Sequence, residues 1–167
     1  PTGWRARLAD LERGLEEAVE ARWVVNASGP WVDHLRSLAR SQPRPAVRRT
    51  RGTHVVLEGA HVTSAILLTA RRDSRAFFAI PWKTHTLLGT TDVDDGRDPD
   101  RVGPDDGDVR YLLEEASRAL PSLRGGVRPV RAFAGVRPLA GRLLGGGGGG
   151  VAPSANRREH LLLEEDK

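Results

Sequence analysis

Two apolar segments each enclose a side chain that could take part in chemistry. His54 lies in RGTHVV (residues 51–56), three residues after Arg51, and Arg137 lies in FAGVRPL (residues 133–139). A buried guanidinium needs a partner, so Arg137 should hold either an internal carboxylate or a bound phosphate or carboxylate. His54 has no acidic neighbour in the sequence, and its alternative interpretation is a half-buried structural histidine.

Two further segments end in residues that could face a ligand. LLGTTD (residues 87–92) closes on two hydroxyls and a carboxylate, which can cap a turn or present acceptors to a polar substrate. NASGPW (residues 26–31) precedes a helical pattern, so Gly29 would let a ligand approach the first N–H groups of that helix. The alternative for NASGPW is an ordinary turn between a strand and a helix.

The other patterns indicate no further site. Gly145-x-Gly147-x-x-Gly150 matches GxGxxG in letters, but Pro153 stands where the required helix would run. The histidines lack metal-ligand spacing and there is no cysteine, so no metal site is predicted.

The charge pattern argues against a nucleic-acid partner. The net charge is +4, but the basic residues are scattered among 22 acids and aromatic residues make up only 5%. All of the basic residues except Lys83 and Lys167 are arginines, which is more typical of coding composition than of a binding surface. The chain starts with Pro1 rather than methionine, which favours a piece of a longer protein.

The order of the predicted elements indicates an α+β fold, with a mixed, largely antiparallel sheet flanked by helices. Helices are predicted in PWVDHLRSLA, with Gly29 as N-cap and Pro30 as first helical residue, and in DDGDVRYLLEEASRAL. SQPRPAVRRTRG (residues 41–52) is predicted to be a connection. The predicted strands begin with residues 3–14, followed by a second and then a third strand in LEEAVEARWVVNASG (residues 15–29), with Trp23, Val24 and Val25 most buried. The others are THVVLE, AILLTA, AFFAIPW, TLLGTTD, residues 127–136 and HLLLEE.

Taken in order, six segments resemble the middle of the FAD-dependent glycerol-3-phosphate dehydrogenases, within the D-amino-acid-oxidase-like superfamily: VVNASGPWVDHLR, RGTHVVL, FFAIPW, LLGTTD, YLLEEA and FAGVRPL. The resemblance implies oxidation of sn-glycerol 3-phosphate to dihydroxyacetone phosphate, with hydride transfer to FAD and electrons passing to quinone or another acceptor. It also implies a cytoplasmic protein, or one attached peripherally to the inner face of the cell membrane.

The same resemblance implies roles for individual residues. His54 would be the base that takes the hydroxyl proton, because an imidazole pKa of about 6.5 suits that role at neutral pH. Arg157 stands next to Arg158, which leaves open which of the two would contact substrate. The residues that would hold the phosphate are Arg137 and Arg158. Thr91 and Asp92 would line or support the same substrate pocket. Those that would lie along FAD are Ala27, Ser28, Gly29, Pro30 and Trp31.

The resemblance further implies a division of the chain. Residues 1–45 would be the edge of an FAD-binding Rossmann-like α/β domain, residues 46–142 the substrate-binding sheet, and residues 143–167 a glycine-rich loop returning toward the FAD domain. The family's strand–GxGxxG–helix unit and glycine–glycine–lysine segment do not occur in this sequence, so the chain alone is expected to be inactive. Two alternatives stay open: a related FAD-dependent oxidoreductase of amino or hydroxy acids, with Arg137 clamping a carboxylate, and a non-enzymatic binding module.

Overall fold

The described part of the chain contains eight strands and two helices. The computed structural model describes residues 3–39, 44–146, 153 and 161–164. In chain order the elements are β1 (Trp4–Asp10), β2 (Leu15–Ala21), α1 (Val32–Ala39), β3 (Val47–Leu57), β4 (Ile66–Thr69), β5 (Ala76–Trp82), β6 (His85–Gly89), β7 (Val93–Asp94), α2 (Asp106–Ala119) and β8 (Pro129–Ala140). Neither helix is long and apolar enough to cross a membrane, in the residues that the structure describes.

Strand β3 is the centre of the main sheet. On one side it pairs with β7 at Thr50 and Arg51 and with β6 at residues 54–57, and β6 continues through β5 to β4. On its other side β3 pairs with β8 from Val47 to Leu57. These pairs are all antiparallel, and β1 and β2 form a separate antiparallel hairpin. The predicted α+β fold with a largely antiparallel sheet is confirmed.

Strand β3 begins earlier than the sequence predicted. Residues 47–52 belong to the strand, so the prediction of a connection across residues 41–52 was wrong there. The prediction failed because this stretch is rich in arginine, which is uncommon in a central strand. Ion pairs compensate for it: Arg48 Nε lies 2.5 Å from Asp94 Oδ1, and Arg51 NH1 lies 2.7 Å from Asp95 Oδ2.

Two predicted strands are absent from the described residues. Trp23 and Val25 were predicted to be buried in a strand, but they are 73% and 86% exposed and lie outside regular structure. An apolar run is buried only where another segment packs on it, and the other described residues leave this one uncovered. Residues 161–164, the described part of HLLLEE, also form no strand.

Helix α2 covers one face of the main sheet and forms the core with it. Val55 and Leu57 of β3 point to this face and pack with Leu112 and Ala116 of α2, all fully buried. Leu112 and Ala116 are four residues apart, so they lie on one side of α2, as expected for a helix that covers a sheet. Asp105 caps the helix, since its side chain accepts a hydrogen bond from the N–H of Gly107 at 2.9 Å.

The opposite face of the sheet, called the open face below, is not covered by α2. A row of directly paired residues crosses it from β4 to β8: Leu67, Phe78, Gly89, His54 and Phe133. Paired residues in antiparallel strands point to the same side, so these side chains lie together. Leu67, Phe78 and Phe133 are exposed. The open face therefore offers an apolar and partly aromatic surface around His54.

Candidate active site

His54 lies in the middle of the open face, between an aromatic ring and a glycine. Its imidazole stacks on Phe133 of β8, with ring centroids 5.1 Å apart and planes inclined by 10°. On the side of β6 it lies over Gly89, where an added Cβ would be 2.1 Å from His54 Cδ2. The glycine of LLGTTD is therefore needed because the imidazole occupies the space where any other side chain would begin.

The surroundings of His54 favour its neutral form. The ring is half-buried between the strands, and this loss of hydration is the main cause that lowers the pKa of His54. The positive charge of Arg137 lowers the pKa of His54 further. At neutral pH the imidazole is therefore uncharged and able to accept a proton, as a general base must be.

Arg137 extends from β8 over the same face to the loop that follows β6. Its guanidinium lies over Gly52, where an added Cβ would be 2.2 Å from Arg137 NH2. It donates hydrogen bonds to Thr90 Oγ1 at 2.8 Å and to the Thr91 carbonyl at 3.1 Å, and Asp92 Oδ1 lies 3.5 Å away. An internal carboxylate, one of the two predicted kinds of partner, is thus present. The side chain is 26% exposed, so an anion on the open face could still reach it.

Thr91 and Asp92 lie under Arg137 rather than on the accessible surface. They are 1% and 6% exposed. The hydroxyl of Thr91 points toward the α2 side, where it accepts a hydrogen bond from the N–H of Thr53 at 2.9 Å. Of the two roles predicted for this pair, lining the pocket or supporting it, the geometry favours support.

A buried ionic network on the α2 side of β3 was not predicted. Arg51 donates from Nε to Asp108 Oδ2 and from NH1 to Asp95 Oδ2, both at 2.7 Å. Hydrogen bonds from Arg97 hold the pKa of Asp95 well below its usual range. The sequence carried one signal for this network. Side chains alternate along a strand, so Arg51 shares a face with the apolar Val55, and an arginine on a buried face needs an acidic partner.

The NASGPW segment forms a turn that is held by Asn26. Asn26 Oδ1 accepts from the N–H of Ser28 at 3.3 Å, and Asn26 Nδ2 donates to the Val32 carbonyl at 2.9 Å. Gly29 has a φ of +58°, which favours glycine. Gly29–Trp31 is a 3₁₀ turn with Ser28 as its N-cap, and α1 starts only at Val32. Gly29 is therefore not the N-cap that the sequence predicted, and the organising role of Asn26 was missed.

This turn packs beside β8, the strand that carries Phe133 and Arg137. The carboxylate of Asp33 in α1 ties the turn to the sheet, because it accepts from the N–H of Ala46 at 2.8 Å and of Val47 at 3.2 Å. The residues predicted to lie along FAD are all at least partly exposed: Ala27, Ser28, Gly29, Pro30 and Trp31. The structure thus brings this turn close to the strand that flanks His54.

Comparison with known proteins identifies the family. The model of the FAD dependent oxidoreductase family matches residues 2–158. The chain belongs to this family. Glycerol-3-phosphate dehydrogenase 2 of Mycobacterium tuberculosis (strain H37Rv) is 32% identical over 130 residues, which are 78% of this chain and 22% of that protein. Alpha-glycerophosphate oxidase of Lactococcus lactis is 37% identical over 148 residues, 84% of this chain and 24% of that protein.

A solved structure supports the assignment to this FAD-dependent family. Glycerol-3-phosphate dehydrogenase from Bacillus halodurans, complexed with FAD, is 32% identical with a TM-score of 0.71, over 82% of this chain and 28% of that one. The resemblance predicted from the motifs is confirmed. The chain spans between 22% and 28% of the length of these three relatives.

The described residues of this family member fit one side of a flavin site. Exposed aromatic and aliphatic side chains surround His54 on the open face, and such a surface suits a planar aromatic ring. The NASGPW turn, next to β8, adds accessible backbone with a glycine in the left-handed region. The residues of this turn, Ala27 to Trp31, and the rings of Phe78 and Phe133 are exposed enough for a bound group to reach them.

One predicted group cannot be placed. Arg158, the second predicted phosphate ligand, lies outside the described residues, and so does Arg157. Gly147 and Gly150 of the glycine run also lie outside them.

Replacing Gly89 by alanine tests the packing of His54. The new Cβ would lie 2.1 Å from His54 Cδ2, so the imidazole must leave its stack on Phe133. We expect Gly89→Ala to destabilise the protein by about 1–3 kcal/mol and to remove the ring-current shift of Phe133 on the His54 signals in NMR spectra. Gly103→Ala is the control, because an added Cβ there meets nothing within 4 Å. An unchanged His54 signal in Gly89→Ala would contradict the packing described.

Proposed function

We propose that this chain is the substrate-facing part of an FAD-dependent enzyme that oxidises sn-glycerol 3-phosphate to dihydroxyacetone phosphate. The observation that carries the proposal is the convergence of His54 and Arg137 on one face of one sheet, beside exposed aromatic rings. A base, a cation and a flat apolar surface are what oxidation of a phosphorylated alcohol by a flavin requires. The names of the relatives support the choice of substrate.

In this proposal each residue has a defined task. His54 accepts the proton of the substrate's secondary hydroxyl, because its lowered pKa leaves the imidazole neutral at working pH. Arg137 holds the phosphate through the exposed side of its guanidinium. When bound, FAD supplies the acceptor for the hydride that leaves the carbinol carbon. The buried residues under Arg137 keep these groups in place and exclude water from below.

The wider organisation belongs to the same proposal. Residues 1–45 form the edge of the FAD-binding domain, residues 46–142 the substrate-binding sheet, and residues 143–167 the return segment. Electrons pass from the flavin to quinone or another acceptor, and the enzyme acts in the cytoplasm or bound peripherally to the inner face of the cell membrane.

A hybrid enzyme tests the function directly. In this hybrid the chain replaces the segment of the Bacillus halodurans dehydrogenase that it matches. We expect the 167-residue chain alone to be colourless and inactive, and the hybrid to bind FAD and to reduce a dye with glycerol 3-phosphate as donor. Turnover of amino or hydroxy acids in place of glycerol 3-phosphate would overturn the substrate assignment. A hybrid that binds FAD but oxidises none of these donors would favour the non-enzymatic module.

The pH dependence of the hybrid provides a second test. The pKa of His54 is lowered, so kcat/KM should stay high in mildly acidic solution and fall only as the pH drops through a value below about 6.5. Arg137→Gln removes a charge that helps to lower this pKa, while burial, the larger cause, remains. The acidic limb of the profile should therefore move to higher pH in Arg137→Gln. A limb that stays in place, or moves to lower pH, would contradict this assignment.

A further inference from the structure

We propose that Thr91 is a positioning residue for Arg137, and that Asp108 anchors Thr91 from the opposite side of the sheet. The inference rests on the proposed function, because it treats Arg137 as the group that binds the substrate's anion. Thr91 itself makes no contact with the substrate. Asp108, on the α2 side of the sheet, affects the open face through Thr91.

Thr91 makes contacts on both sides of the sheet: its hydroxyl lies on the α2 side and its carbonyl contacts Arg137 on the open face. It is 1% exposed. Its N–H donates to the Thr53 carbonyl at 3.3 Å, and its hydroxyl oxygen accepts from the Thr53 N–H at 2.9 Å. These two bonds fix both the backbone and the side chain of Thr91 against β3. Thr91 lies two residues after Gly89, the last residue of β6 that pairs with β3.

Asp108 secures this arrangement from the first turn of α2. Its Oδ2 accepts from Thr53 Oγ1 at 2.6 Å and from Arg51 Nε at 2.7 Å, and Thr91 Oγ1 lies 3.4 Å away. The carboxylate is buried and ion-paired with Arg51. A buried carboxylate whose Oδ2 accepts from two donors has little freedom to move, and hydrogen-bond networks of this kind are rigid.

The consequence reaches the open face through the Thr91 carbonyl. This oxygen accepts from Arg137 NH1 at 3.1 Å, and the adjacent Thr90 hydroxyl accepts from Arg137 NH2 at 2.8 Å. A long arginine side chain loses considerable entropy when it is held in one place. With the Thr91 peptide fixed, these acceptors set where the guanidinium lies relative to His54.

Placement of this kind affects catalysis more than stability. A displacement of about 1 Å in a positioning group can reduce catalytic efficiency by about 100-fold, because the substrate is then misaligned. A loosened Thr91 should therefore weaken the hold on the phosphate while the fold persists. A purely structural threonine would instead change stability alone.

The chain offers a matched control for this distinction. Thr86 is also a fully buried threonine, and its hydroxyl accepts from the His61 N–H at 2.8 Å and donates to the Gly59 carbonyl at 3.1 Å. Thr86→Val and Thr91→Val therefore remove the same group from two buried positions, one in β6 and one in the loop that follows it. Of these two threonines, Thr91 contacts Arg137, whereas the Thr86 hydroxyl bonds to His61 and Gly59.

The experiment compares Thr91→Val, Thr91→Ser and Thr86→Val in the hybrid enzyme. We expect Thr91→Val to raise KM for glycerol 3-phosphate by about tenfold or more, with a smaller change in kcat. Thr91→Ser keeps the hydroxyl and should restore KM, whereas Thr86→Val should lower Tm without changing KM. Asp108→Asn keeps an acceptor but breaks the buried ion pair with Arg51, so it should raise KM as Thr91→Val does and should also lower Tm.

A measurement without turnover separates this inference from the proposed function. The His54 pKa is followed by NMR with ring-labelled histidine, in the full chain and in the hybrid. If Arg137 moves away, the pKa of His54 should rise in Thr91→Val and stay put in Thr86→Val. A pKa and a KM that are unchanged in Thr91→Val, or that change equally in both valine variants, would overturn the positioning role. A shifted pKa in a hybrid that never oxidises glycerol 3-phosphate would uphold the positioning role and overturn the proposed function.

Discussion

His54→Asn is expected to lower kcat/KM of the hybrid enzyme for glycerol 3-phosphate by about 100- to 10,000-fold. Asparagine is small and planar enough to lie over Gly89 and against Phe133, but it cannot accept the substrate's proton. FAD content and Tm should therefore stay close to those of the parent enzyme. Steady-state kinetics with a dye acceptor, combined with flavin absorbance, measures both effects.

The control for His54 is a histidine elsewhere on the same sheet. His85 begins β6 and is partly exposed, with its Nδ1 2.9 Å from Thr84 Oγ1. His85→Asn should leave kcat/KM unchanged. If His54→Asn lost FAD along with activity, or kept full activity, the assignment of His54 as the base would fail.

Arg137→Gln is expected to raise KM for glycerol 3-phosphate by about 10- to 100-fold, the equivalent of one charged hydrogen bond worth about 1.5–3 kcal/mol. Glutamine can still bond the loop after β6, but it brings no charge to the phosphate. Arg137→Lys keeps the charge and loses the planar fork that reaches Thr90 and Thr91 together, so its KM should be intermediate. Initial rates over a range of substrate concentrations give these values.

Arg131→Gln is the matched control for Arg137. Arg131 is an exposed arginine on β8, and its even spacing from Arg137 places it on the same face of the strand. Arg131→Gln should leave KM unchanged. This result would show that the rise in KM in Arg137→Gln does not come simply from losing one positive charge on this face. Equal changes in KM for both variants would mean that Arg137 acts only through the long-range field.

The sequence predicted the helix α2 correctly because an apolar stripe, a polar opposite face and acids at its start all agree. The sequence alone does not show which of these acids caps the helix and which is buried in an ion pair. Asp105 caps the helix, whereas Asp108 turns inward to Arg51. The difference depends on the position of β3, which lies far away in the chain. The start of β3 was missed for a related reason, since its arginines suit a strand only when the carboxylates beside them are known.

The candidate site shows the same limit. Spacing left His54 open to a structural interpretation, and the family resemblance suggested its role together with that of Arg137. The importance of Gly52 and Gly89 could not be read from sequence, because it depends on which side chain lies over each glycine. That follows from strand register, and register is fixed by packing on the α2 side. Trp23 and Val25 were predicted to be buried but are exposed, because an apolar run in the sequence does not show whether another segment packs on it.

The exposed rings and aliphatic side chains of the open face carry a thermodynamic consequence. A cofactor that occupies this surface only in the native state shifts the unfolding equilibrium by mass action. At a free concentration about 100 times its dissociation constant, it would add about 2.7 kcal/mol to the free energy of unfolding. In the hybrid enzyme, conditions that remove the flavin should therefore also lower the melting temperature, and refolding yields should depend on how much FAD is supplied.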